Sequence, residues 1–199
     1  KYTSVQPWTL ERTTPSKWCR RRILSRRELG RRYVLYKPLS HSAGSLTHFT
    51  ASQLQAEIKI HRDLKHRYVC QYKHYFENQN NCYILLELCH NQSLNEMIKR
   101  RKRLTEPEAA LFMTQLLEAT RYMHSENVIH RDLKLGNLFL DQEMNIKVGD
   151  FGLATRVEDK DEKRKTICGT PNYIAPEIIQ GDKAKRGHSF EVDIWSMGV

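Results

Sequence analysis

Asp132 and Asn137 stand five residues apart in the run His130-Arg131-Asp132-Leu133-Lys134-Leu135-Gly136-Asn137. A carboxylate and an amide at that spacing on a loop present a proton acceptor beside an oxygen ligand for a metal ion. Eighteen residues after Asp132 comes Gly149-Asp150-Phe151-Gly152, where a second acid is framed by glycines that permit unusual backbone angles. Twenty-seven residues beyond Asp150, Ala175-Pro176-Glu177 ends in a third acid. Each short motif alone is weak. Turn-capping roles for two acids and an amide do not predict all three motifs in this order, so the reading favours chemistry.

Elements able to hold these loops are visible on both sides. Leu54, Ile58, Ile60 and Leu64 recur at near-helical spacing from about Ser52. Tyr68–Phe76 and Cys82–Leu88 read as two adjacent strands about the polar turn Glu77-Asn78-Gln79-Asn80-Asn81. Ser93 with Glu96, and Thr105-Glu106-Pro107-Glu108, are helix starts, the second opening a helical period through Leu111, Phe112, Leu116, Leu117 and Met123. Val128–Leu140 and Ile146–Phe151 carry short apolar stretches next to the two acidic loops. The fold class expected is α+β.

The net charge of +10 is concentrated in the first quarter. Residues 1–50 hold 11 Lys and Arg against two acids, leaving 22 of the 33 bases and 21 of the 23 acids for residues 51–199. The cluster Arg20, Arg21, Arg22, Arg26, Arg27, Arg31, Arg32 reads as a solvated basic segment. Nucleic-acid binding is not expected, because neither a recognition helix nor stacked aromatics accompany the arginines. The five cysteines are irregularly spaced, which suggests free thiols in a reducing, intracellular setting. Cys82, Cys89 and His90 lack the paired Cys-x-x-Cys spacing of a zinc site. No apolar run is long enough for a membrane span, and no leader-type segment follows Lys1.

The three motifs together resemble those of the protein kinases, and finer matches point to the polo-like serine/threonine kinases. Those matches are Leu86-Glu87-Leu88-Cys89, Lys102–Ala109, His130–Leu140, Lys165–Glu177 and Gly187–Asp193. The resemblance implies a two-lobe kinase-like fold that transfers the γ-phosphate of ATP, with Mg²⁺, to Ser and Thr hydroxyls of proteins. It implies Asp132 as the acceptor of the substrate proton, Lys134 as a neutralising cation, and Asn137 and Asp150 as Mg²⁺ ligands. Leu86 would lie behind the adenine, with Glu87 and Cys89 bonding the base through their backbone. Glu57 matches the N-lobe helix glutamate, and Lys37, in Val34-Leu35-Tyr36-Lys37, is the candidate ammonium to pair with it. Thr166 matches a phosphosite for an upstream activating kinase, with Arg131 as the phosphate's partner, while Thr170, Glu177 and Asp193 give structural support. By resemblance the protein works in the cytoplasm, the nucleus or at the centrosome and spindle.

The pattern also has departures. Gly30 and Gly44 are the only glycines before Glu57 and form no Gly-x-Gly, and the chain stops at Val199 in the segment matching the family's αF helix. The expectation is therefore a basic segment at 1–50 that matches the kinase N-lobe poorly, followed at 51–199 by a partial kinase domain from the family's αC helix to its αF helix. The expected catalytic domain lacks the glycine-rich loop and the C-lobe after αF, and residues 1–199 are expected to include neither the family's phosphopeptide-binding region nor the remaining helices. A catalytically silent pseudokinase or binding fragment is the alternative to an active enzyme.

Overall fold

The computed structural model describes residues 33–38, 51–77, 81–158, 166, 168–179 and 187–199. Strand β1 (Tyr33–Pro38) is followed by helix α1 (Ala51–Asp63) and by strands β2 (Tyr72–Glu77) and β3 (Asn81–Leu86). The sheet order is β1-β3-β2 with both pairings antiparallel, and Lys37 falls opposite Cys82. The two strands expected about the polar turn are present; each stops short at its outer end, at Tyr72 and Leu86, and runs one residue into the turn, to Glu77 and from Asn81. The first also shifts register between Tyr72 and His74. One strand was not foreseen: β1 lies inside the basic segment, where Tyr33-Val34-Leu35-Tyr36 carries strand-forming residues without a clean alternation.

Helix α1 lies against this sheet through Leu54, which is buried with Cys82 and Ile84. Ile60 near its end and Leu64 just beyond it reach into the main core, so this stretch joins the sheet to the helical layer below. That layer consists of α2 (Leu94–Arg101) and α3 (Glu106–Ser125), with two short antiparallel ladders beneath them. Strand β4 (Val128–Ile129) pairs with β7 (Thr155–Arg156), and β5 (Leu138–Leu140) pairs with β6 (Ile146–Val148). Helix α4 (Glu191–Gly198) is the last element, after a helical turn at 176–179. The mixed helix and strand content agrees with the expected class. Among the described residues no helix is long and apolar enough to cross a membrane.

Both helix starts read from sequence are present. Ser93 accepts the Glu96 N–H and caps α2. At the start of α3, the Glu108 carboxylate accepts from the Thr105 N–H at 2.9 Å and from the Thr105 hydroxyl at 2.8 Å. Arg101, in the last turn of α2, grips the same carboxylate at 2.6 and 3.1 Å. Further along α3, the buried Gln115 donates to Asn145 and accepts the Ile146 N–H at 2.8 Å. The amide thereby fixes the β5–β6 hairpin, whose two ends carry Asn137 and Gly149-Asp150.

Arg101 first, and then the Thr105 donors, hold the Glu108 carboxyl at about 2 rather than its ordinary 4.5. A carboxyl lowered on folding contributes stability that is complete above its unfolded value and is lost as pH falls through its folded value. Glu108→Gln is therefore expected to melt below the parent at neutral pH, and the gap should close as pH falls from about 4.5 towards 2. Thermal denaturation followed by circular dichroism across that range checks it. A gap that is absent at neutral pH, or that widens on acidification, contradicts the role given to Glu108.

Candidate active site

The loop between β4 and β5 is built around a carboxylate that sits outside it. Asp193 on α4 is 0% exposed. Its Oδ2 accepts from the His130 N–H and from His124 Nε2, both at 2.9 Å, and its Oδ1 accepts the Arg131 N–H at 2.8 Å. Burying a charge is costly unless donors replace the water it loses, and here three do so. In return the loop is held where Arg131 takes φ 64°, a left-handed conformation that a long side chain adopts only when its surroundings enforce it. Arg131 is held from its side chain too, with Nε donating to the Leu153 carbonyl at 2.8 Å.

His130 ties the two acidic loops together. Its Nδ1 accepts the Asp132 N–H at 3.3 Å, which leaves the proton on Nε2, and Nε2 donates to the Gly149 carbonyl at 3.2 Å. The fully buried Phe151 packs its ring between His130, at 5.1 Å, and His61 of α1, at 4.5 Å. His61 in turn bonds the Cys70 carbonyl at 2.6 Å. A chain of contacts thus runs from α4 through the catalytic-type loop to α1, the helix that carries the buried Glu57. Gly149 is needed for closeness, since a Cβ there would stand 2.9 Å from the Phe139 ring.

Asp132 is 7% exposed and lies at the centre of three converging side chains. Its Oδ2 accepts from Lys134 Nζ at 2.6 Å and from Asn137 Nδ2 at 3.0 Å, and its Oδ1 accepts from the Thr170 hydroxyl at 2.6 Å. Lys134 also donates to Thr170 Oγ1 at 2.7 Å. Gly169, at φ 119°, lets the chain approach the Arg131 carbonyl and deliver Thr170. The Asn137 amide nitrogen is committed to Asp132, also bonding its carbonyl at 2.9 Å, so the Asn137 Oδ1 is the end left for a ligand. Asp150 follows directly, because the Gly149 N–H donates to the Asn137 carbonyl at 3.0 Å. Asp150 has φ 66°, and its Oδ1 takes the Gly152 N–H at 3.4 Å.

The other candidates lie apart from this cluster. Leu86 ends β3, and Cys89 is buried. The Glu87 N–H is turned inward to the Gln71 carbonyl at 2.8 Å, while its carboxylate bonds the Gln71 N–H and Lys147. Thr166 is exposed, and Glu177 is half-buried on the turn at 176–179. For Lys37 the strand register is described and its side chain is not. Sequence reasoning gave no part to His61, His124 or the His130 ring. His130 could have been singled out within its motif, whereas His61 and His124 are isolated histidines in helical runs, without a local signal.

A protein kinase domain model matches residues 26–199, and the chain belongs to that family. Within it, the likeness is to the polo-like serine/threonine kinases. The chain is 59% identical over 156 residues to a probable serine/threonine-protein kinase CCRP1 of Zea mays, covering 78% of this chain and 24% of that protein. It is 56% identical over 150 residues to the cell cycle serine/threonine-protein kinase CDC5/MSD2 of Saccharomyces cerevisiae, covering 75% and 21%. To the serine/threonine-protein kinase polo of Drosophila melanogaster it is 51% identical over 153 residues, covering 77% and 26%. The chain thus spans about a quarter of the length of the curated relatives it matches. Protein kinases of this family use ATP and Mg²⁺ in general.

Thr170→Val removes the hydroxyl that joins Asp132 to Lys134 and keeps the side-chain volume. It should lower unfolding stability by about 1.5–3 kcal/mol, the range for a hydrogen bond to charged groups. Urea denaturation checks it, and an unchanged midpoint would mean that the Asp132–Lys134 pair holds without the hydroxyl.

Proposed function

We propose that this chain supplies the catalytic groups of a Mg²⁺-dependent protein serine/threonine kinase of the polo, cell-cycle type, with residues 51–199 as a partial catalytic domain. The observation that carries this reading is the Asp132 carboxylate fixed by Lys134, Asn137 and Thr170. Its Oδ2 already accepts two bonds and its Oδ1 one, so Oδ1 keeps a lone pair for an incoming Ser or Thr hydroxyl. In this proposal Asp132 orients that hydroxyl and takes its proton, while Lys134 offsets charge on the transferred group.

The donor set suits the metal. The Asn137 Oδ1 and the Asp150 carboxylate are hard oxygen ligands on adjoining segments, as Mg²⁺ prefers. Held there by Asn137 and Asp150 together with ATP, the ion would supply positive charge to the nucleotide phosphates. With the Glu87 N–H engaged by Gln71, the Glu87 carbonyl and the Cys89 N–H are the backbone groups proposed to meet the adenine edge, with Leu86 behind it. Lys37 on β1 and Glu57 on α1 are proposed as the ammonium–carboxylate pair that steadies the phosphates. Phosphorylation of the exposed Thr166 by an upstream kinase would add about −1.5 to −2 charges able to dock on Arg131. Asp193 and Glu177 act as supports. The substrates are proteins bearing Ser or Thr, and the proposed setting is the cytoplasm, nucleus or centrosome and spindle.

The test is transfer of labelled γ-phosphate to a generic Ser/Thr peptide, run beside an ATP titration with and without Mg²⁺. Asp132→Asn is expected to cut transfer by about 10²- to 10⁴-fold, the range for a general base, while leaving ATP affinity nearly unchanged. Asp150→Asn should abolish the gain in ATP affinity that Mg²⁺ gives. Transfer insensitive to Asp132, or ATP affinity independent of Mg²⁺ in the parent, would overturn the assignment.

A further inference from the structure

Away from the Asp132 cluster, the connection between α1 and β2 and the start of β2 border a cavity of about 430 Å³. Lys65, Arg67, Lys73 and Lys147 line it, with His66, Gln71 and a single carboxylate, Glu87. Lys147 is already paired, 2.7 Å from Glu87 and 3.9 Å from Asp141. Lys65, Arg67 and Lys73 have no ion pair among the described residues, and all three are exposed. Four cations against one carboxylate leave the cavity strongly positive. Burial chiefly holds the His66 imidazole below its ordinary value; Glu118 opposes this, and Arg67, Lys147 and Arg121 add to it.

The segment that carries Lys65 and Arg67 is also held in place. His66 stacks on Tyr122 with ring centroids 4.9 Å apart, and the Lys65 N–H donates to the Tyr122 hydroxyl at 2.8 Å. The Arg67 guanidinium lies 4.8 Å above the Tyr68 ring. A lysine on the open edge of a sheet is a common guard against strand pairing, which accounts for Lys73 on β2. It does not account for Lys65 and Arg67 arriving from a different segment to face the same hollow.

We propose that this cavity is a docking site for an acidic peptide segment of a partner protein, whose Asp and Glu carboxylates pair with Lys65, Arg67 and Lys73. No residue lining the cavity is apolar, so nothing there would insert among lipid chains. The nearby aromatics are spent, Tyr68 being buried and Tyr122 covered by His66, so bases would find no stacking surface. A pocket of this volume takes a few side chains rather than a phosphate backbone running across it. Because the proposal concerns a surface apart from the phosphotransfer groups, it stands independently of the kinase reading.

Fluorescence anisotropy on the 199-residue chain tests it, using a labelled peptide rich in Asp and Glu and its Asn/Gln counterpart. The acidic peptide should bind and the neutral one should not. Arg67→Glu combined with Lys73→Glu should weaken binding at least about tenfold, as expected for losing charge-assisted bonds. The milder Lys73→Gln should weaken it in the same direction, and a thermal melt verifies that each variant is folded. Reversing Arg20, Arg21 and Arg22 to Glu should leave most of the affinity intact. The proposal is overturned if the acidic peptide fails to bind, or if reversal of the arginine cluster rather than the cavity removes binding. It is equally overturned if a DNA duplex or anionic vesicles bind in a manner that Arg67 and Lys73 control more strongly.

Discussion

A carboxylate fully withdrawn from water must be surrounded by donors, and Asp193 is surrounded by the backbone of the loop that carries Asp132. The N–H groups of His130 and Arg131 and the His124 ring converge on its two oxygens. The arrangement binds in both directions. The charge is tolerable only because the loop presents these donors, and the loop holds Arg131 in a left-handed conformation only because the charge draws its N–H inward. Everything proposed for Asp132 depends on this clamp, since Asp132 is the residue that follows.

From the clamp, order passes outward by hydrogen bonds and packing rather than along one element. His130 fixes Asp132 through one ring nitrogen and Gly149 through the other, so the two acidic loops share a single anchor. Phe151 and His61 extend the contact to α1, and Gln115 holds the hairpin that connects Asn137 to Asp150. Two strands of three residues each would not keep those side chains in register by themselves. The amide from α3 and the histidine from the β4–β5 loop supply the missing constraint. The positive cavity near Glu87 is built in a similar way, with the Tyr68 ring under Arg67 and the Tyr122 ring against His66.

Much of this was legible because the signals were local. Ser93 with Glu96 and Thr105 with Glu108 announced their helices, since a cap is an interaction across three residues of sequence. The polar run Glu77–Asn81 between apolar stretches announced the hairpin. The motif spacings announced that acids and an amide would occupy loops beside short strands. What stayed hidden was non-local. Strand β1 owes its place to pairing with β3, and residues 33–36 do not alternate cleanly. His124 and His61 act on partners 69 and 90 residues away, and nothing beside them in the chain marks that use. The convergence of Lys65, Arg67, Lys73 and Lys147 on one hollow likewise depends on how α1, β2 and β6 meet.

The clamp can be measured directly by hydrogen exchange at the His130 and Arg131 amides in the parent and in Asp193→Asn. An asparagine offers one acceptor oxygen and turns an NH₂ group toward a donor, so it cannot serve the same three donors. The account predicts that protection at these two amides falls by about 10- to 100-fold, the scale of a charge-assisted hydrogen bond, while amides of β3 such as Ile84 keep theirs. Unchanged protection at His130 and Arg131, or an equal loss at Ile84, would contradict the claim that the Asp193 carboxylate specifically holds the loop that carries Asp132.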